Sequence, residues 1–437
     1  MKCIFQHLRT SKSGNGHRPP HDRKHALVVF PGALSRGPRR ESRIRKTRIA
    51  LYSHDTMGLG HMRRNLLIAQ TLAAPPVGAS ILMIAGACEI GKFTLPAGVD
   101  CLSLPSLCKK PDGEYDSRTL DVSLQELSSL RARTIHAALE SFRPDILIVD
   151  KVPRGALGEL DQSLASLQSK THFVLGLRDV LDSPENVRRE WARSENFKAI
   201  RKFYGVIWVY GDREIYDLVK EYHFPIDVAR KVRFLGYLDQ RPRLQTSSPM
   251  SREVIASLRV PDAPLAGCLV GGGQDGVELA QIFARAELPR DFYGVIVTGP
   301  FMSGEIRRSL ELLAMSNPRL RVIKFLSEPS HLVARADRLV SMGGYNTSCE
   351  ALSFGIPWLV VPRTAPRSEQ LLRAKRLNEL GFADILLPDQ LTPEAITNWL
   401  GREHVERKNC PGVDLNGLSR VSVLVQAMDG CERVSSP

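Results

Sequence analysis

Three stretches of this chain combine glycines, carboxylates and histidine at spacings suited to holding a charged ligand and moving a proton. The first, GGGQDG at 271–276, follows the apolar run AGCLV and leads into a helical pattern. Glycines let a backbone approach a ligand, and the exposed N–H groups of a helix start attract phosphate. No Gly-Lys-Ser/Thr follows, so the loop is not a P-loop; a plain tight turn would look the same. The second, SMGGYNTSCEALSFGIPWLVVPRTAPRSEQ at 341–370, places Gly343 and Gly344 directly after the run DRLVS, and Thr347-x-x-Glu350 opens a helix. Glu350 either closes a capping box on a backbone N–H or points into a cleft and accepts two ribose hydroxyls. The third, HDTMGLGH at 54–61, carries Gly58, Gly60 and His61. An imidazole titrating near neutrality suits a base that takes the proton of an attacking hydroxyl, although a histidine at a helix terminus also bonds nearby backbone. Asp150-Lys151 and Arg178-Asp179 end two further apolar runs. They would orient a second substrate or, for Asp150 and Asp179, replace His61 as the base; as strand-terminating ion pairs they would do neither. No Asp-x-Asp occurs anywhere in the chain, so the usual acidic clamp for a cation on a diphosphate is missing. Helix N-termini and loop N–H groups would hold that charge instead.

These residues need elements to position them. From residue 47 the chain alternates short Ile/Val/Leu runs with helical segments: TRIALYSHD (47–55), a helix over 58–73, ASILMIAG (79–86), a helix over 125–142, PDILIVDK (144–151), a helix at about 155–168, THFVLGLRD (171–179), GVIWVYG (205–211) and KVRFLGY (231–237). Near-continuous apolar strands separated by helices predict a parallel sheet covered on both faces. The alternation stops at 241–262, where Pro, Ser and Gln accumulate as in a linker. It restarts with AGCLVGGGQDG (266–276), FYGVIVTGP (292–300), RLRVIKFL (319–326), ADRLVSMGG (336–344) and IPWLVVPR (356–363). The expectation is two α/β domains in tandem, residues 47–240 and 263–404, each a doubly wound Rossmann-like parallel sheet. Ligands of such sheets bind beyond the carboxyl ends of the strands, so two facing domains enclose a cleft. Residues 405–437 are less informative, with LSRVSVLVQAM (418–428) as a last helix that could cross back to the first domain.

The bulk properties narrow the function class. A length of 437 residues suits two cores, and no run of roughly 18 apolar residues suggests a membrane span. Eight scattered cysteines without a C-x-x-C pair read as free thiols in a reducing, cytoplasmic compartment, not as a disulfide framework or zinc site. The net charge of +13 suggests a nucleic-acid partner until it is located: residues 1–46 hold twelve Lys or Arg against two acids. The remainder is nearly neutral. A basic, Gly/Pro-containing tail reads as a disordered extension without a specific nucleic-acid role; contact with anionic lipid head groups at a membrane surface is the functional alternative.

The ordered combination from about 321 to 387, a strand-end loop, a Gly-Gly…Glu helix, a Gly-x-Pro strand and an acid-Gln pair before a helix, resembles the donor-binding domain of family 28 glycosyltransferases. That resemblance implies a GT-B fold and a nucleotide diphosphate sugar, a UDP-sugar, as donor substrate, with no cofactor. It implies that Phe325 and Leu326 line the base pocket, that Gly343, Gly344, Asn346 and Thr347 approach the diphosphate, that Glu350 binds ribose, and that Glu369 and Gln370 contact the donor sugar. Gly272, Gly273 and Gln274 would lie on the donor's other side. Where the family carries a basic or small polar residue before its Gly pair, this chain has Ser341-Met342. In the first domain, Gly58, Gly60 and His61 resemble the family's N-terminal loop, and Lys151 and Arg178 would face the acceptor: a saccharide, a lipid-linked group or a small molecule. The expected activity is inverting, metal-independent transfer to a hydroxyl. A nucleotide-sugar epimerase or hydrolase of the same fold, and a non-enzymatic binding protein, are the alternatives.

Overall fold

In the computed structural model of the chain, residues 45–54, 60–86, 91, 93–109, 115–246, 253, 256, 258, 260–403 and 412–435 are described. The basic segment 1–44, Gly58 and the stretch 404–411 lie outside the described residues. Seven parallel strands form the first sheet: β1 (Arg48–Ser53), β2 (Ser80–Ala85), β3 (Val99–Ser103), β6 (Ile146–Asp150), β7 (His172–Arg178), β8 (Val206–Tyr210) and β9 (Val232–Phe234), in the order β3-β2-β1-β6-β7-β8-β9. A small antiparallel pair, β4 (Leu107–Lys109) and β5 (Tyr115–Ser117), precedes the helix Leu124–Phe142. The second sheet has six parallel strands: β10 (Leu265–Leu269), β11 (Tyr293–Val297), β12 (Leu320–Ile323), β13 (Arg338–Ser341), β14 (Trp358–Val360) and β15 (Asp384–Ile385), in the order β12-β11-β10-β13-β14-β15.

In both sheets the strand order reverses beside the first strand, between β1 and β6 and between β10 and β13. At such a switch point neighbouring connections leave in opposite directions and open a crevice at the strand ends. β1 and β6 are buried over nearly their whole lengths, as strands sandwiched between helical layers must be. Lys46–Pro437 pack as one unit, because one apolar cluster runs through both halves, from Ile49, Leu66 and Trp208 to Tyr345, Cys349 and Trp358. The last helix, Gly417–Ser435, buries Val421 and Val425 in that cluster. Just before it, Tyr237 N–H donates to the Asp414 carbonyl at 2.7 Å, which ties the returning chain to the end of the first half.

Two local expectations change. The helix after the second Gly pair begins at Tyr345 with Gly344 as its N-cap. Thr347 is therefore already inside the first turn, and Glu350 closes no capping box. The segment 241–262 contains the short helix Arg243–Thr246, and Arg243 is buried against the first half.

Candidate active site

The helix Gly60–Ala73 starts at the carboxyl end of β1, and Asp150 is the last residue of the adjacent β6. This juxtaposition brings His61 Nδ1 to 2.7 Å from Asp150 Oδ2. Arg64, one helical turn on, donates Nη2 to both Asp150 oxygens at 2.5 Å. Burial alone would raise the Asp150 carboxyl, but Arg64 and His61 override it and hold it well below the usual carboxylate range. His61 is pushed down to about 4 by burial; Asp150 opposes the shift, while Arg64 and Arg178 reinforce it. The ring is therefore neutral at pH 7. Arg64 Nη2 also lies 3.0 Å from His61 Nδ1, and one nitrogen cannot both accept from Arg64 and donate to Asp150. The shorter, charge-complementary contact assigns the proton to Nδ1 and leaves the lone pair on Nε2. His54 stands behind, 5.0 Å between ring centroids, buried and without a partner for Nδ1. Burial holds it neutral.

Of the other candidates on the first sheet, Asp179 is spoken for. It accepts Arg373 Nε at 2.8 Å and Nη2 at 2.7 Å, Tyr237 Oη at 2.9 Å and the Val180 N–H at 2.7 Å. A fully buried carboxylate with four donors is a tie to the second half, not a base, and this corrects its place among the proton acceptors. Lys151 (φ 69°) and Arg178 stand at the ends of β6 and β7, and neither side chain has a hydrogen-bond or ion-pair partner among the described residues.

On the second sheet, the Gly-rich turns follow β10 and β13. Gly273 has φ +94°, and a Cβ there would sit 2.1 Å from the Thr298 carbonyl oxygen; at Gly343, φ is +72° and a Cβ would sit 2.6 Å from Val360 Cγ1. Glycine is required at both. The helices they open, Val277–Arg285 and Tyr345–Phe354, have Gly276 and Gly344 as N-caps and no side-chain cap. The helices Leu124–Phe142, Pro184–Arg193, Gly304–Ser316 and Pro393–Leu400, by contrast, carry Ser or Thr caps. Uncapped helix starts leave N–H donors for a ligand. Asn346 Nδ2 donates to the Gly60 carbonyl at 3.0 Å, so the starts of the Tyr345–Phe354 and Gly60–Ala73 helices adjoin. Gln274 and Thr347 are at least partly accessible on the two turns.

Glu350 is fully buried. Its Oε1 accepts Arg63 Nη2 at 2.8 Å and Ser330 Oγ at 3.1 Å, while Oε2 has no partner. Arg63 also reaches Glu328 at 3.3 Å, which Arg243 holds at 2.6 Å. Glu369 pairs with Arg363 at 2.7 Å and leaves Oε2 buried without a partner; Gln370 Oε1 accepts the Arg363 N–H at 3.0 Å. Burial would raise the Glu369 carboxyl, but Arg178, Arg363 and Arg373 hold it low. Phe325 meets Phe93 of the first half edge-on at 6.2 Å between centroids. The Leu326 side chain lies in the core, leaving only its backbone to face a ligand. Sequence reasoning did not single out Arg63, Arg64 or Arg373. Arg64 stands one turn after His61 on the same helix face, which was a readable signal, but surface helices are full of solvated arginines. The partners of Arg63 and Arg373 lie in the other half and leave no local trace.

Residues 269–409 match the model of the glycosyltransferase family 28 C-terminal domain. An uncharacterized glycosyltransferase of Methanosarcina acetivorans is 24% identical over 390 residues, 84% of this chain and 95% of the relative. A UDP-N-acetylglucosamine--N-acetylmuramyl-(pentapeptide) pyrophosphoryl-undecaprenol N-acetylglucosamine transferase of Anaplasma marginale is 29% identical over 161 residues, 34% of this chain and 45% of the relative. Among solved structures, the calicheamicin glycosyltransferase CalG4 aligns with a TM-score of 0.57 at 18% identity, covering 90% of this chain and 100% of that one. The UDP-GlcNAc 2-epimerase from Neisseria meningitidis, bound to UDP-GlcNAc, aligns at 0.55 and 16%, covering 88% and 99%. At these identities the solved structures speak for the fold, which is GT-B. Residues 269–409 match the glycosyltransferase family 28 C-terminal domain within that fold, and the chain is a glycosyltransferase.

Proposed function

We propose that the protein transfers a sugar from a UDP-sugar to a hydroxyl acceptor, with inversion at the anomeric carbon and without a metal ion. The observation that carries this reading is the contact of His61 with Asp150 at the first switch point, beside the uncapped helix start at Gly344. As the acceptor oxygen bonds to the anomeric carbon, its proton passes to His61 Nε2. The bond from that carbon to the diphosphate oxygen breaks, and its electron pair leaves with UDP. Asp150 keeps the proton on Nδ1 and stabilises the imidazolium that forms, as an orienting carboxylate does in other base dyads. One direct displacement inverts the anomeric centre.

The leaving diphosphate gains negative charge. The helix starts at Gly276 and Gly344, each without a side-chain cap, offer N–H groups and the positive dipole end to it. The lack of an Asp-x-Asp sequence supports metal independence. Glu350 Oε2, buried and unpartnered, suits a ribose hydroxyl. Since Arg63 of the first half covers the same carboxylate, donor entry requires the two halves to part locally. The Anaplasma marginale relative is named for a UDP-linked donor, which supports UDP here.

The test is a nucleotide-sugar screen by thermal stabilisation, followed by turnover and product anomer analysis. His61→Ala should keep UDP affinity and lose about 10²–10⁴ in rate. Near-normal turnover in that variant, or complete loss of activity in EDTA that Mg²⁺ restores, would overturn the mechanism. Donor turnover without any acceptor would move the reading to the epimerase or hydrolase class.

A further inference from the structure

The cations along the facing strand ends and helix starts are nearly all neutralised within the protein. Arg64 is paired with Asp150, Arg373 with Asp179, Arg63 with Glu350 and Glu328, Arg363 with Asp275 and Glu369, and Arg367 with Glu190. Lys151 and Arg178 are the exceptions. They end adjacent parallel strands, β6 and β7, and Lys151 immediately follows the carboxylate that orients His61. Both are half-buried, neither side chain has a hydrogen-bond or ion-pair partner among the described residues, and Arg178 Nε is sealed from solvent with nothing to donate to.

Unpaired charge at low solvent access is unfavourable, and proteins retain it where a ligand completes the pair. We propose that Lys151 and Arg178 form the subsite for an anionic group of the acceptor, a phosphate or carboxylate close to the hydroxyl that receives the sugar. The inference rests on the transferase reading above and deepens it, since it names the chemistry of the acceptor.

Charge balance supports it. Burial, and the field of Arg178 and Arg367, push Lys151 down to about 7, although Glu190 and Glu369 oppose the shift. Arg178 is pushed down to about 10 by burial, with Arg373 and Arg64 adding to the shift and Glu369 and Asp179 opposing it. An anion between them relieves both. Arg178 is also among the charges that hold His61 acidic, so an anion placed there makes His61 a stronger base when the acceptor arrives.

Titration calorimetry of the full chain saturated with UDP tests this, with inorganic phosphate and pyrophosphate as probes. UDP fills the donor's own diphosphate site, so remaining phosphate binding reports a second site. Wild type should bind the probes, and Lys151→Met and Arg178→Met should each weaken that binding at least tenfold while their UDP affinity stays unchanged. Loss of UDP affinity in either variant would assign the pair to the donor diphosphate and overturn the proposal. So would equal phosphate binding in all three proteins, or none in wild type. If wild type binds no UDP, the donor reading fails separately, and the same phosphate comparison without nucleotide still decides the role of the pair.

Discussion

Replacing Glu350 with Gln tests whether this carboxylate reads a nucleotide or merely joins the two halves. Oε1 is engaged by Arg63 at 2.8 Å and Ser330 at 3.1 Å, and Oε2 is buried without a partner. Removing one partner of a buried ion pair costs about 3–5 kcal/mol when the other is stranded. Here Arg63 keeps Glu328 at 3.3 Å and the amide oxygen still accepts, so the expected loss is smaller, about 1–2 kcal/mol. Hydrogen bonds to a charged group contribute about 1.5–3 kcal/mol, so losing the ribose contact weakens UDP binding roughly ten- to a hundredfold. Calorimetric titration with UDP and urea unfolding separate the two effects. Arg63→Met is the control, because it breaks the same ion pair but keeps the carboxylate. It should lose stability while UDP affinity holds or improves, since Arg63 no longer competes for Glu350. The ribose assignment is refuted if Glu350→Gln binds UDP like wild type, or if Arg63→Met loses as much UDP affinity as Glu350→Gln.

Three further outcomes follow from the geometry. Arg373→Met strands the buried Asp179 carboxylate and should cost about 3–5 kcal/mol in urea unfolding, with part of the loss recovered in the Arg373→Met/Asp179→Asn double variant; additive losses would mean the pair is not coupled. His61 has its folded-state value lowered from 6.5 to about 4, so the unfolded chain binds its proton first. Its contribution is therefore present above about pH 6.5 and is lost as pH falls toward 4. The acid limb of kcat/KM, which reports the free enzyme, should lie near that lower value and vanish in His61→Ala; a kcat/KM limb near 6.5 would contradict the buried, neutral ring. Gly273→Ala should destabilise the second half strongly or prevent folding, because its Cβ would lie 2.1 Å from a carbonyl oxygen at φ +94°. Wild-type melting in that variant would show that the loop rearranges freely.

Much of the fold was legible in order and type. The apolar runs that became β1, β2, β6, β7 and β8 of the first sheet, and β10, β11, β13 and β14 of the second, are two-sided buried strands, and near-continuous Ile, Val and Leu is what such burial demands. The short strands β3, β4, β5 and β15 were not legible. They are mostly half-exposed edge elements of two to five residues, and nothing in so short a polar-mixed run separates strand from loop. The start of the Tyr345–Phe354 helix was misread for a related reason. Thr347-x-x-Glu350 matches a capping pattern, but the backbone had already turned helical after Gly344, where glycine supplies no cap.

The sequence by itself determined that glycines stand after β10 and β13, that His61 stands near the end of β1, and that Asp150, Lys151, Arg178 and Asp179 stand at strand ends. Those are consequences of local pattern, because strand and helix periods are set by neighbours in the chain. Which strand-end charges are spent and which remain free was decided only by tertiary structure. Asp150 and Asp179 sit in similar sequence contexts, yet Asp150 orients His61 while Asp179 is consumed by Arg373, 194 positions away. Arg63 and Glu350 meet across 287 positions. A long-range ion pair depends on how two sheets pack against one apolar cluster, and no local spacing encodes that distance.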